Sequence, residues 1–143
     1  MLGEKALFHD FTNQALIERG FDAALFSAAK AGEILSSLTK EHRFTLYEHF
    51  ITDKIGHDRD FVKARIHLPL LAEFIRETLQ RVDFENTTVI LTSDHGNIED
   101  LSVRNHTLNN VPTIVWGRNS GLIAKQIKDL TDITPLILQL LTN

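Results

Sequence analysis

Residues 87–100 read TTVILTSDHGNIED, and the fold turns on how this stretch is taken. Thr87 to Ser93 is apolar nearly throughout, with Val89, Ile90 and Leu91 at its centre. A strand without polar alternation is one covered on both faces, the pattern of a parallel sheet. It ends abruptly in Asp94-His95-Gly96, an acid beside an imidazole. In open α/β sheets ligands gather at the carboxyl ends of strands. An acid and an imidazole there are therefore placed for chemistry.

Outward from this strand the chain alternates helix and strand. Residues 11–19 predict a short helix stopped by Gly20. Ser27 is placed to cap a second helix, with Ala31, Ile34, Leu35 and Leu38 at helical spacing. Phe44 to Ile51, carrying Phe44, Leu46, Tyr47 and Phe50, predicts a strand. From Asp60 to Val82 the pattern is helical. Leu70, Leu71, Phe74, Ile75, Leu79 and Val82 form an apolar stripe at steps of three and four. Pro69 lies inside it and predicts a kink or the first turn of another helix. Pro112 to Trp116 predicts a short strand ended by Gly117. A last helix runs to Leu141, capped by Thr131 or Asp132, with Pro135 near its first turn. This alternation implies an α/β fold, a mainly parallel sheet with helices on both faces.

Composition narrows the function classes. The chain has 143 residues, about one domain, and no repeat or Pro/Gly-rich linker divides it. A single α/β domain over 1–143 is expected. A chain of this size buries roughly 68–70% of its unfolded surface and needs no covalent staple. It has no cysteine, which excludes disulfides, thiolate metal sites and cysteine nucleophiles. That fits a reducing compartment, and a cytoplasmic location is expected. The formal charge is −4, with no basic stripe, so no nucleic-acid partner is expected. No apolar run approaches the ~20 residues that span a bilayer, and residues 1–10 lack a secretory signal pattern. No membrane partner is expected.

The unusual residues collect at strand ends. Asp94 and His95 follow strand 87–93. Asp53 and His57 follow strand 44–51, in TDKIGHDRD, residues 52–60. His106 precedes strand 112–116, in NHTLNNVP, residues 105–112. Five such groups on one edge of a sheet are costly if unpaired. A divalent cation offsets that cost, because carboxylates and neutral imidazoles are its ligands. Gly56, between Asp53 and His57, would let a loop turn both side chains toward one ion. Asp94 and His95 point apart on an extended backbone and converge only if the chain bends, which Gly96 permits. Five protein ligands exceed what one tetrahedral zinc uses, so two metals are expected. His9, His42, His49 and His67 are given structural roles. Asp58 and Asp60 read as helix-start carboxylates, and Asn97, Glu99 and Asp100 as polar loop residues.

These motifs resemble a known family. TSDHGNIED followed by NHTLNNVPTIVWG is similar to the C-terminal metal-binding segment of the alkaline phosphatase superfamily. The branch it resembles holds cofactor-independent phosphoglycerate mutase and phosphopentomutase. TDKIGHDRD looks like that branch's upstream Asp-x-x-Gly-His element, and DLTDITPLILQLL like a helix near the C-terminus of many members. The resemblance covers about residues 44–141. It implies two divalent ions, Mn or Zn, about 3.5–4 Å apart as in two-metal phosphoryl-transfer sites. Asp53, His57 and His106 would hold one, and Asp94 and His95 the other. It implies a small phosphorylated substrate and transfer of its phosphoryl group to water or to another hydroxyl.

The family completes its site with a further Asp and a Ser or Thr nucleophile from an N-terminal segment. No matching stretch precedes residue 44. Ser93 and Thr107 lie near the ligands but read as strand-end and loop hydroxyls. The chain is therefore expected to be the C-terminal part of a longer metalloenzyme. It would supply metal ligands but no nucleophile, and turn over phosphate esters weakly or not at all. Two alternatives stand beside this. One is a non-catalytic α/β module with a vestigial or structural metal site. The other is an all-helical His-Asp phosphohydrolase, suggested by His9-Asp10 and His57-Asp58.

Overall fold

The structure is a computed structural model that describes residues 4–142. Helices α1 (Gln14–Glu18), α2 (Ala28–Glu41), α3 (Ile51–Asp58) and α4 (Phe61–Leu79) come first. Strands β1 (Val89–Leu91) and β2 (Ile114–Trp116), then helices α5 (Ser120–Ala124) and α6 (Ile133–Thr142), follow. The fold is mixed α/β and rich in helix. The chain forms two compact units. One holds the residues up to Val82 together with Asn97–His106, the other Asp83–Gly96 together with Thr107 onward. No helix among the described residues is long and apolar enough to cross a membrane.

In the first unit α2 packs on α4. Ser27 caps α2 as expected, its side chain accepting from the Lys30 N–H at 3.1 Å. Asp60 does the same for α4, accepting from the Lys63 N–H at 2.9 Å. Pro69 lies within α4 and does not divide it into two helices. The helices approach closely at Gly32. A Cβ there would stand 2.7 Å from Glu77 Cβ and 2.8 Å from the Thr78 backbone nitrogen. Phe11, Ala28, Ala31 and Phe74 form the core beside this crossing. The Phe11 and Phe74 rings stack with centroids 4.7 Å apart.

The strand expected over Phe44–Ile51 does not form. Residues 44–50 have no regular structure, and Ile51 begins α3. The segment has no partner strand, and Phe44 and Leu46 are exposed. Its polar aromatic groups bond to the preceding chain instead. Tyr47 Oη–H donates to the Phe8 carbonyl at 3.2 Å, and His49 Nδ1–H to the His9 carbonyl at 2.8 Å.

That last bond sets a pH response. With its proton on Nδ1, neutral His49 presents a lone pair on Nε2, which lies 2.8 Å from His67 Nε2. Burial, then the facing His67, lowers the pKa of His49 from 6.5 to about 4. Burial also lowers that of His67. Both groups are neutral in the folded state at pH values where the unfolded chain is protonated. Their contribution is present above pH 6.5 and is lost as pH falls, that of His49 toward 4. For His49, allowing for its partial exposure, the loss is on the order of 1–2 kcal/mol. Urea midpoints measured from pH 7 to 4.5 should fall. The fall should shrink in His49→Gln, whose amide still donates but does not titrate. An identical profile for both proteins would refute the assignment.

In the second unit β1 and β2 pair antiparallel, Val89 with Trp116, Ile90 with Val115 and Leu91 with Ile114. The mixture of helix and strand is as expected. Among the described residues the one sheet has two antiparallel strands, not a mainly parallel set with helices on both faces. An apolar run cannot by itself specify a neighbour. The three β1 residues are half-buried, less covered than a central parallel strand requires. The last helix forms where expected, but Thr131 and Asp132 do not cap it: Asp129 caps a 3-10 turn, Leu130–Asp132, that leads into α6, and Asp132 closes the capping box.

Candidate metal centre

The first unit brings three of the expected ligands to one point. Asp53 and His57 lie four residues apart on α3, one turn along the same face. The helix aligns them, not a loop turned at Gly56. His106 comes from the segment 97–106. Asp53 Oδ1 is 3.4 Å from His57 Nε2 and 3.3 Å from His106 Nε2. The two Nε2 atoms are 3.1 Å apart. The side chains remain partly open to solvent, with relative exposures of 36%, 44% and 46% for Asp53, His57 and His106.

His57 Nδ1–H donates to the Arg104 carbonyl at 2.6 Å. The proton of neutral His57 is thereby assigned to Nδ1, and the lone pair to Nε2, the atom aimed at Asp53 and His106. This is the arrangement of a histidine oriented for a metal, with its other nitrogen tied to a carbonyl.

The spacing tests the fit. With ligand bonds of about 2.0–2.2 Å, neighbouring donors of a tetrahedron stand about 3.3–3.6 Å apart, and those of an octahedron about 2.8–3.1 Å. The three separations of 3.1, 3.3 and 3.4 Å fall across this range. Two imidazole nitrogens and a carboxylate oxygen also form a donor set suited to a divalent ion. Three protein donors on one side leave positions for an oxygen ligand, as catalytic sites require.

Asn97, expected as an ordinary loop residue, is buried at 5% exposure. Its Nδ2–H donates to Asp53 Oδ1 at 2.8 Å and to the Asp53 carbonyl at 3.4 Å. Its backbone N–H donates to Glu99 Oε2 at 2.6 Å. Gly56 lies under the amide, where any Cβ would overlap Asn97 Oδ1. That is the reason for a glycine between the two ligands. The available signal was its place directly after Asp94-His95-Gly96. Its burial was not legible.

Asp94 and His95 lie in the second unit. The chain bends at both residues, and Asp94 Oδ2 comes within 3.4 Å of His95 Nε2. Gly96 is not a turn here. Its carbonyl accepts from the Thr107 N–H at 2.9 Å in a bridge. Ser93 Oγ–H donates to the His95 carbonyl at 2.8 Å, the strand-end role expected of it. In His9-Asp10 the carboxylate has a helix-starting role. Asp10 accepts from the backbone N–H groups of Asn13 and Ala15 and so starts α1. With β1 and β2 present, this counts against the all-helical alternative.

A family model described as the metalloenzyme superfamily matches residues 18–143. Three relatives are each named 2,3-bisphosphoglycerate-independent phosphoglycerate mutase. The one from Clostridium kluyveri is 34% identical over 96 residues, 62% of this chain and 19% of the relative. That from Ehrlichia canis is 27% identical over 124 residues, 80% of this chain and 25% of the relative. That from Wolbachia pipientis is 35% identical over 97 residues, 62% of this chain and 19% of the relative. The chain thus spans about a fifth to a quarter of the length of these relatives. No solved structure matches the chain.

Proposed function

The chain belongs to the metalloenzyme superfamily, and from that premise we propose that it is the metal-binding portion of a two-metal phosphoryl-transfer enzyme. The substrate class is a small phosphate ester, and the reaction that of a phosphomutase or phosphatase. The observation that carries this is the convergence of Asp53 Oδ1, His57 Nε2 and His106 Nε2, with the Arg104 carbonyl fixing the His57 tautomer. Asp53, His57 and His106 hold one divalent ion, Mn or Zn. Asp94 and His95 contribute to a second, together with ligands from other parts of the enzyme. Residues 1–143 are the C-terminal part of its α/β domain. In that domain β1 belongs to a larger, mainly parallel sheet, and the enzyme works in the cytoplasm.

When bound, the cations supply charge to the phosphoryl oxygens and acidify an attacking hydroxyl. The protein's own groups do the rest. The carboxylate and two neutral imidazoles carry a single negative charge, so a divalent ion held there keeps net positive charge for a phosphate. α3 keeps Asp53 and His57 one turn apart, and the Arg104 carbonyl holds the His57 imidazole by its Nδ1–H. The nucleophilic Ser or Thr is supplied by another part of the enzyme, and this chain alone turns over esters weakly or not at all.

Phosphate binding tests the reading. Inorganic phosphate titrated calorimetrically into Mn²⁺-loaded protein is expected to bind, and titrated into chelator-treated protein to give no signal. Equal binding in both, or none in either, would overturn it.

A further inference from the structure

Asn97 is the unusual group around the centre. It is 5% exposed, and its side-chain oxygen has no hydrogen-bond partner. An apolar side chain of the same size would fill that space without stranding an acceptor. What the amide supplies is a directed bond, 2.8 Å from Nδ2 to Asp53 Oδ1. That oxygen is the one facing His57 Nε2 and His106 Nε2. A carboxylate oxygen has two lone-pair directions. Asn97 takes one and leaves the other pointing at the two imidazoles. A second bond, to the Asp53 carbonyl, ties the amide to the α3 backbone as well, so side chain and helix are held by one group. Glu99, on the Asn97 N–H, fixes the loop that carries it.

We infer that Asn97 is a positioning residue that aims Asp53 Oδ1 at the metal. The inference rests on the metal reading of Asp53, His57 and His106. Outer partners of metal ligands are worth about 10–100-fold in affinity, and Asn97 should fall in that range.

The test compares wild type, His57→Ala, Asn97→Ala and Asn97→Leu by Mn²⁺ calorimetry and by the visible absorption of bound Co²⁺. Leucine keeps the volume and removes the donor. Both Asn97 variants are expected to weaken Mn²⁺ by about 10–100-fold and to alter the Co²⁺ spectrum, while circular dichroism without metal stays that of wild type. Should Asn97→Leu not fold, Asn97→Asp keeps the shape and turns the donor into an acceptor. It is then read in place of the leucine variant. If wild type binds, His57→Ala does not, and the Asn97 variants bind as wild type, the role of Asn97 is refuted while the metal reading stands. If wild type does not bind, the metal reading falls and the inference with it.

Discussion

His57→Ala should weaken divalent-ion binding at the Asp53 centre by more than about 100-fold, beyond what loss of an outer-shell partner costs. The substitution removes one of three protein donors and also leaves the Arg104 carbonyl without the Nδ1–H that it accepts. Asp53 and His106 remain as a two-donor set, 3.3 Å apart. Nothing on α3 replaces the lost nitrogen, because the neighbouring position on that face is Asp53 itself. Calorimetry with Mn²⁺ and Zn²⁺ reads the affinity directly. The melting temperature gives a second readout, because an ion bound only by the folded state stabilises it by RT ln(1 + [L]/Kd). Wild type should melt higher with metal than with chelator, and His57→Ala should show almost no difference. Equal affinities for the two proteins would remove Asp53, His57 and His106 as a centre.

The parts of the fold written in short-range code were legible. Ser27 and Asp60 announce their helices because a side-chain oxygen three residues before an unpaired N–H is a local device. The closeness of Asp53, His57 and His106 follows from motifs, although a loop turned at Gly56 is what the spacing suggests and a shared face of α3 is what aligns the first two. What failed depends on neighbours that a sequence does not list. Phe44 and Leu46 carry strand-like side chains, but Tyr47 and His49 bond to the Phe8 and His9 carbonyls and the segment stays irregular. β1 has the composition of a strand covered on both faces, yet among the described residues it pairs with antiparallel β2. A glycine between two ligands reads as a turn, whereas Gly56 lies within α3 and is small so that Asn97 can sit against it. Close approach of one side chain to a helix is a tertiary fact, and it also concealed the burial of Asn97.

Gly56→Ala should therefore destabilise the protein although alanine favours a helix. In an exposed helix interior the change is worth up to about 1 kcal/mol in favour of alanine. Here the added Cβ would overlap Asn97 Oδ1 and crowd its Cγ. Asn97 is buried and tied to Asp53, so it must be displaced or the helix must shift. Overpacking of this kind costs about 1–3 kcal/mol. Displacing Asn97 also forfeits its bond to Asp53, so the net loss should stand at the upper end, near 3 kcal/mol. Metal affinity should fall with it, since Asp53 Oδ1 is released. The decisive measurement is a cycle of four proteins unfolded in urea with chelator present: wild type, Gly56→Ala, Asn97→Ala and the double variant. With Asn97 truncated, the space above Gly56 is open and the clash is gone. The same Gly56→Ala change should then become neutral or stabilising by up to about 1 kcal/mol. A change of sign between backgrounds is a coupling of the kind that residues in contact produce. If the two substitutions add, Gly56 and Asn97 act independently, and the glycine needs another explanation than the amide lying against it.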